Sequence, residues 1–243
     1  MQPFSLLLGL GALAGLLLSA WRAPQKERLR YLDAGVLTLL GALLGSRALA
    51  VAVNFDYYQT HLNEIFQVWL GGLSSIGALI GGVLAVFIIA RWWKIHLGLL
   101  ADVLLPLAGT LSVTAWMGCW VGRCSYGLPL NTWWALPARD EWGVLADRIP
   151  VQFVGALLTL FLIWLLDRSA RRMPVQGMSA ALGLYAISAI VFLLSYLRAD
   201  PTPIWNGLRL EAWGAMGIMI FSSFTVVVLL FNWQYKKYHI PQG

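Results

Sequence analysis

The sequence contains little charge: Asp, Glu, Lys and Arg make up 12% of its 243 residues, against 59% hydrophobic residues. A soluble domain carries about twice that charged fraction, at about 25%. The apolar residues also lie in runs longer than the core helices of a soluble domain need, so lipid must cover much of the surface. The 13 tryptophans agree with this interpretation, because indole rings favour the membrane interface.

Cysteine and histidine are also scarce. Cys119 and Cys124 are too few for a disulfide framework, and their spacing is unusual for a zinc pair. The three histidines, His61, His96 and His239, all lie in predicted loops or in the C-terminal tail. We therefore expect no metal site, no histidine-based charge relay and no cofactor.

A continuous basic face is absent as well. The net charge of +6 is distributed over short loops between apolar runs, which argues against nucleic acid and makes anionic lipid headgroups the expected partners. The N-terminus lacks the basic segment of a cleavable signal peptide, so we expect the first apolar run to remain as a helix. There is no convincing internal repeat, which weakens the case for an inverted-repeat transporter.

Seven apolar runs predict seven transmembrane helices in a single all-α, polytopic membrane domain covering residues 1–243. Each run has about 16 to 25 residues, enough to cross roughly 30 Å of hydrocarbon. Strand alternation is absent from them. The longest non-apolar stretch, about 122–150, is expected to form an ordered extracytoplasmic cap. The predicted helices cover about 4–21, 34–55, 66–90, 97–121, 151–166, 178–197 and 212–231.

The distribution of lysine and arginine predicts the orientation. Loops one, three and five and the tail are basic; loop five contains Arg168, Arg171 and Arg172. Loop two has no Lys or Arg, and loops four and six balance arginine with acidic residues. Because basic loops stay on the cytoplasmic side, we expect an N-out, C-in protein in a bacterial cytoplasmic (inner) membrane.

Two features of the first helices are candidates for function. Arg47 lies within the second apolar run, where a cation costs several kcal/mol unless it is paired or faces water. It is interpreted either as a phosphate or headgroup ligand or as a structural ion pair, for example with Asp102. The segment from Gly71 to Gly82 predicts either an anion cradle, with Ser74 and backbone amides at a helix start, or close helix packing through Gly77 and Gly81.

The later candidates lie near the predicted cap. Cys119 and Cys124 are interpreted as a nucleophile, as a disulfide, or as ordinary packing thiols, and the last is favoured because no nearby histidine would activate a thiol. Arg148 and Gln152 flank the start of the fifth run, and Arg198 ends the sixth. These residues are either interfacial anchors or, together with Arg47, ligands of a phospholipid headgroup.

At these motifs the sequence resembles the prolipoprotein diacylglyceryl transferases, in order and spacing, from about residue 45 to 214. The family's Gly-Gly-Arg is similar to Gly45-Ser-Arg47, and its Gly-Gly-Leu-Ser segment to Gly71-Gly-Leu-Ser74. The further matching segments are Asp102-Val-Leu-Leu-Pro106, Arg148-Ile-Pro-Val-Gln152 and Tyr196-Leu-Arg-Ala-Asp200. The family's topology, with seven helices running N-out to C-in, is the one predicted above.

The resemblance implies transfer of a diacylglyceryl group from phosphatidylglycerol to the lipobox cysteine of a prelipoprotein signal peptide. It implies a headgroup site formed by Arg47, Arg148, Arg198, Gly71, Gly72, Ser74 and Gln152, with Asp102, Cys119 and Tyr126 as secondary candidates. Several family positions differ here, which also leaves open an inactive relative that binds anionic phospholipid or a lipoprotein partner. The family's polar residues fall on Ile76, Trp116, Cys119, Val154, Gly155, Val191 and Ser195.

Overall fold

The computed structural model describes residues 3–68, 71–170, 173 and 175–239. Within these residues, seven helices are long and apolar enough to cross a membrane. They confirm the predicted all-α polytopic membrane fold. The helices are α1 (Pro3–Arg22), α2 (Arg28–Val53), the short α3 (Phe55–Tyr58), α4 (Ser75–Trp93), α5 (Leu97–Gly122), α6 (Val151–Ala170), α7 (Met178–Ser195) and α8 (Leu210–His239).

Two small antiparallel hairpins lie outside the helices. Strand β1 (Leu136–Arg139) pairs with β2 (Leu145–Arg148), and β3 (Ile204–Trp205) pairs with β4 (Leu208–Arg209). The sequence analysis did not predict these strands, because they are too short to display an alternating pattern. Residues 54–68, 71–74, 123–150 and 196–209 connect the helices at one end of the bundle, which is called the cap end below.

The helix boundaries differ from the predicted ones where the backbone forces a change. Helix α4 begins at Ser75 and not near residue 66, because Gly71 and Gly72 have φ angles of 95° and 67° that an α-helix excludes. Helix α2 already begins at Arg28, and α8 extends well beyond the predicted residue 231. Arg171 and Arg172, which contribute to the predicted basic loop, lie outside the described residues.

Helices α2 and α4 pack against each other through glycines. A Cβ atom on Gly45 would lie 2.6 Å from the carbonyl oxygen of Gly77, and one on Gly77 would lie 2.5 Å from that of Gly45. A Cβ on Gly81 would meet the carbonyl of Gly41 and the Cα of Gly45. Small residues allow two helix backbones to approach closely in a membrane, so the packing interpretation of Gly77 and Gly81 is confirmed.

This contact predicts opposite outcomes for two neighbouring substitutions. Gly81→Ala should destabilise the protein by about 1–3 kcal/mol, because the added methyl group overpacks the interface with α2. Gly82→Ala adds the same methyl group where the nearest atom is the Cβ of Ala42 at 3.7 Å, an ordinary contact, and should be neutral or slightly stabilising. Thermal unfolding in detergent would measure both. Equal midpoints for the two variants would contradict the close approach of α2 and α4.

Candidate functional site at the cap end

Arg47 is buried at the cap end of α2, with 8% of its surface exposed. Its guanidinium donates from Nε to the carbonyl oxygen of Ile65 at 2.8 Å, and from Nη1 to those of Gly71 and Gly72 at 2.8 and 3.0 Å. The Nη2 group donates to the backbone carbonyl of Glu64. The guanidinium carbon also lies 5.1 Å from the centre of the Tyr58 ring. One side chain thus ties two segments of the cap end to α2.

The glycine segment leads directly from Arg47 into α4. Ser74 is the N-cap of α4, and its Oγ accepts a hydrogen bond from the amide of Gly77 at 3.2 Å. Its own amide donates to the carbonyl of Ser46 at 3.3 Å, one residue before Arg47. Gly71, Gly72 and Ser74, the residues of the predicted cradle, therefore lie in one loop before α4, with Gly72 exposed.

Arg148 is buried beside Tyr126 at the base of the first hairpin. Its Nη2 group pairs with Asp140 at 3.2 Å, its Nη1 donates to the carbonyl of Gly127 at 3.4 Å, and its guanidinium lies 4.7 Å from the centre of the Tyr126 ring. Gln152 is 2% exposed and donates to the carbonyl of Cys124 at 3.0 Å. Its Oε1 atom is buried without a hydrogen-bond partner among the described residues.

Arg198 belongs to an ion-pair network at the base of the second hairpin. It donates to both carboxylate oxygens of Asp200, at 2.9 and 2.5 Å, and pairs with Glu211 at 2.5 Å. Burial disfavours its charge, but the hydrogen bonds to Asp200 and the nearby Glu211 outweigh burial, so the pKa of Arg198 is raised above its ordinary value. Arg209 completes the network through Asp200 at 3.1 Å. The sequence analysis missed Arg209 and Glu211, although an acidic residue in the first turn of a helix is a recognisable signal.

The structure brings two of the three predicted arginines together. The segment 126–130 runs between the chain around Arg148 and the chain around Arg198: the amide of Leu128 donates to Leu197 at 2.9 Å, and that of Ile149 donates to Leu128 at 3.0 Å. No hydrogen bond, ion pair or ring contact between described residues joins Arg47 to either arginine. The described residues also contain no group of three His, Cys, Asp or Glu side chains that could hold a metal ion.

Four of the seven positions at which the resembling family has polar residues lie in or against one apolar cluster. Ile76, Trp116 and Val191 are buried in it together with Val151, and Val154 packs against them. Two glycines receive the larger side chains. A Cβ on Gly155 would lie 2.6 Å from the Trp116 ring, and one on Gly214 would lie 2.6 Å from Ile76. This part of the bundle interior is therefore packed with apolar side chains.

The interpretation of Arg47 as an ion-pair partner of Asp102 is wrong, because the two side chains do not pair. The Asp102 carboxylate accepts hydrogen bonds from the amides of Gly177 and Ala180, at 2.6 and 2.8 Å, at the start of α7. Arg22, which donates to the Asp102 carbonyl at 3.3 Å and pairs with Asp167, lies beside it. Asp102 thus caps a neighbouring helix at the end of the bundle away from the cap end, where its charge is stabilised by the unpaired amides of α7.

The favoured interpretation of Cys119 and Cys124 as packing thiols is wrong, because the two cysteines form a disulfide. The disulfide closes the last turn of α5 onto the residue after its left-handed C-cap, Arg123. The amide of Cys124 also donates to the carbonyl of Cys119 at 2.9 Å. A thiol nucleophile at Cys119 is therefore unavailable in this state.

Seven membrane-spanning helices, joined at one end by a polar, arginine-rich cap end, define this chain as an integral membrane protein. The sequence model of the prolipoprotein diacylglyceryl transferase family matches residues 1–238, and the chain belongs to that family.

The curated relatives agree over most of their length. The chain is 25% identical over 244 residues to the phosphatidylglycerol–prolipoprotein diacylglyceryl transferase of Finegoldia magna, covering 96% of this chain and 91% of the relative. It is 28% identical over 231 residues to that of Thermosynechococcus vestitus, covering 87% and 86%. The enzyme of Synechococcus elongatus is 25% identical over 249 residues, covering 94% and 80%. The chain is therefore a multi-pass bacterial membrane protein.

The capping role of Asp102 is testable by comparison with Asp167. Asp102→Ala leaves two amides of α7 without their acceptor and should cost about 1–3 kcal/mol of stability. Asp167→Ala removes a carboxylate that is 53% exposed, so its loss should cost at most about 1 kcal/mol. Chemical or thermal unfolding in detergent measures both. A larger loss for the Asp167 variant would show that the ion pair, and not the cap, stabilises this end.

The disulfide is testable by thiol labelling. Protein purified without reductant should react with a maleimide at neither cysteine, and should gain two labels after reduction and denaturation. Cys119→Ser should free Cys124 for labelling, which controls for accessibility. Stoichiometric labelling of the unreduced parent protein would contradict the pairing.

Proposed function

We propose that this protein transfers a diacylglyceryl group from phosphatidylglycerol to the cysteine thiol of a prelipoprotein, as the names of its relatives describe for them. The observation that supports a headgroup site is the burial of Arg47 without a carboxylate partner among the described residues. An uncompensated buried cation is costly, and a phosphate headgroup at the glycine segment would supply the missing negative charge. Arg148, Arg198 and Gln152 lie at the same end of the bundle.

The proposed chemistry balances without a cofactor. The thiolate sulfur of the substrate cysteine attacks the glycerol carbon that carries the phosphate ester, a thioether bond forms, and the carbon–oxygen bond breaks. Glycerol phosphate leaves with the electron pair of that bond, and the thiol proton passes to the leaving group or to solvent. Negative charge accumulates on the phosphate oxygens, so positive charge and N–H donors near the headgroup would lower the barrier.

We further propose that the cap end faces the outside of the cytoplasmic (inner) membrane, with the N-terminus outside and the C-terminus inside. Arg28, Arg30, Arg91 and Lys94 lie at the opposite end, as expected for cytoplasmic loops. The Cys119–Cys124 disulfide lies at the cap end, and disulfides persist in oxidising compartments outside the cytoplasm. This orientation would present the site to an exported prelipoprotein and to outer-leaflet lipid.

The apolar cluster around Ile76 and Trp116 is the reason to test a second candidate, a relative that binds anionic phospholipid or a lipoprotein partner without turnover. Hydrocarbon in place of acids, bases and cations offers no stabilisation to a developing charge. Transfer by this protein would therefore depend on the polar groups at the cap end.

The two candidates predict different results in one assay. Purified protein in lipid nanodiscs is given labelled phosphatidylglycerol and a lipobox peptide, and the thioether product and glycerol phosphate are quantified by mass spectrometry. The first candidate predicts the two products in equal amounts, none with phosphatidylcholine, and rescue of a strain depleted of its diacylglyceryl transferase. Saturable phosphatidylglycerol binding by folded protein without any thioether would reject the first candidate and support the second.

A further inference from the structure

The contacts of Arg47 are unusual for a residue expected to hold a phosphate. A guanidinium has five N–H donors, and four of them donate to backbone carbonyls of Glu64, Ile65, Gly71 and Gly72. The side chain is also covered by the Tyr58 ring. A bidentate fork toward phosphate would require at least one of these hydrogen bonds to break, because only one donor is left free. The hydrogen bonds of the Arg47 side chain therefore hold the loop in its conformation.

The geometry of the peptide bond fixes the direction of the amide groups that follow these carbonyls. In a trans peptide the carbonyl and the next residue's N–H point in opposite directions, and no cis peptide bond occurs among the described residues. Because Arg47 binds the carbonyls of Gly71 and Gly72, the N–H groups of Gly72 and Leu73 point away from it. No described residue accepts a hydrogen bond from either amide.

Only glycine readily adopts this arrangement at both positions. Gly71 and Gly72 have φ angles of 95° and 67°, in the region that side chains with a Cβ rarely adopt. Consecutive amides turned outward by such a backbone form an anion-binding concavity. The charge of Arg47 lies directly behind it, because a Cβ atom built on Gly72 would lie 3.1 Å from Arg47 Nη1.

We propose that Arg47 is a positioning residue for the headgroup site: it holds the carbonyls of Gly71 and Gly72 so that the Gly72 and Leu73 amides face the phosphate. This inference rests on the proposed function in its choice of ligand, a phosphatidylglycerol headgroup. The holding of the loop by Arg47 is a separate step and can be measured without any lipid ligand.

The test compares Arg47→Lys with Arg47→Gln in nanodiscs. Lysine keeps the positive charge but lacks the planar fork that reaches four carbonyls. A positioning role predicts that both variants speed amide exchange in residues 62–68 and 71–73, already in phosphatidylcholine alone. It also predicts that both weaken phosphatidylglycerol binding to a similar extent, by about tenfold or more, as expected when a pre-organised site is lost. With turnover, KM should rise more than kcat falls.

Gln59→Ala is the matched control, because its side chain lies in the same cap-end segment and donates, among the described residues, to Asp56 at 3.2 Å and not to the glycine loop. It should leave exchange, unfolding midpoint and lipid binding unchanged. The inference is overturned if Arg47→Lys binds phosphatidylglycerol like the parent, or if Arg47→Gln loses binding while residues 62–68 and 71–73 stay protected. If the parent itself does not bind phosphatidylglycerol, the proposed function fails, and the exchange measurement alone still decides whether Arg47 holds the loop.

Discussion

A guanidinium buried at the edge of a bilayer must replace its hydration shell with protein oxygens, and the cap end is organised around three such replacements. Arg148 uses Asp140, the Gly127 carbonyl and an aromatic ring. Arg198 uses two carboxylates. Arg47 uses backbone carbonyls alone. The first two arginines are neutralised within the protein and stabilise the cap, whereas the third retains a net positive charge beneath an open loop. Arg148 and Arg198 are therefore structural residues, and Arg47 is the candidate for acting on an anion.

The membrane-spanning part of the protein is organised by a different constraint, the absence of a hydrophobic driving force between helices in lipid. Close packing replaces it. Glycines on α2 and α4 bring the two backbones into contact, and Gly155 and Gly214 accommodate Trp116 and Ile76. Apolar side chains around Ile76 and Trp116 fill the space between these helices. Membership of the diacylglyceryl transferase family therefore combines here with a bundle interior that has lost most of the polar groups expected from the resemblance.

The proposed chemistry on a charged phosphate is therefore assigned to the polar groups at the cap end. The glycine loop above Arg47 and the cap network around Arg148 and Arg198 are the polar regions at that end. The disulfide between Cys119 and Cys124 fastens the end of α5 to the segment that carries Tyr126 and Gly127. It thereby supports the strand-like connection between the two cap arginines. Covalent bonding, ion pairing and backbone geometry thus act together in a region that helix packing does not reach.

The sequence by itself determined the membrane class and the seven helices, because hydropathy is a local property of the chain. It offered the packing of Gly77 and Gly81 as one of two interpretations, and the structure decided for it. The sequence also identified Arg47, Arg148 and Arg198, since a cation near an apolar run is visible without a structure. Only the tertiary structure decided their partners. Asp102 caps α7 across 75 residues of sequence, and Arg198 reaches Glu211 on another element. The convergence of Ile76, Trp116 and Val191 likewise depends on distances between elements that a linear pattern does not contain. For Cys119 and Cys124 the sequence left a disulfide and packing thiols as alternatives, and the structure decided for the disulfide.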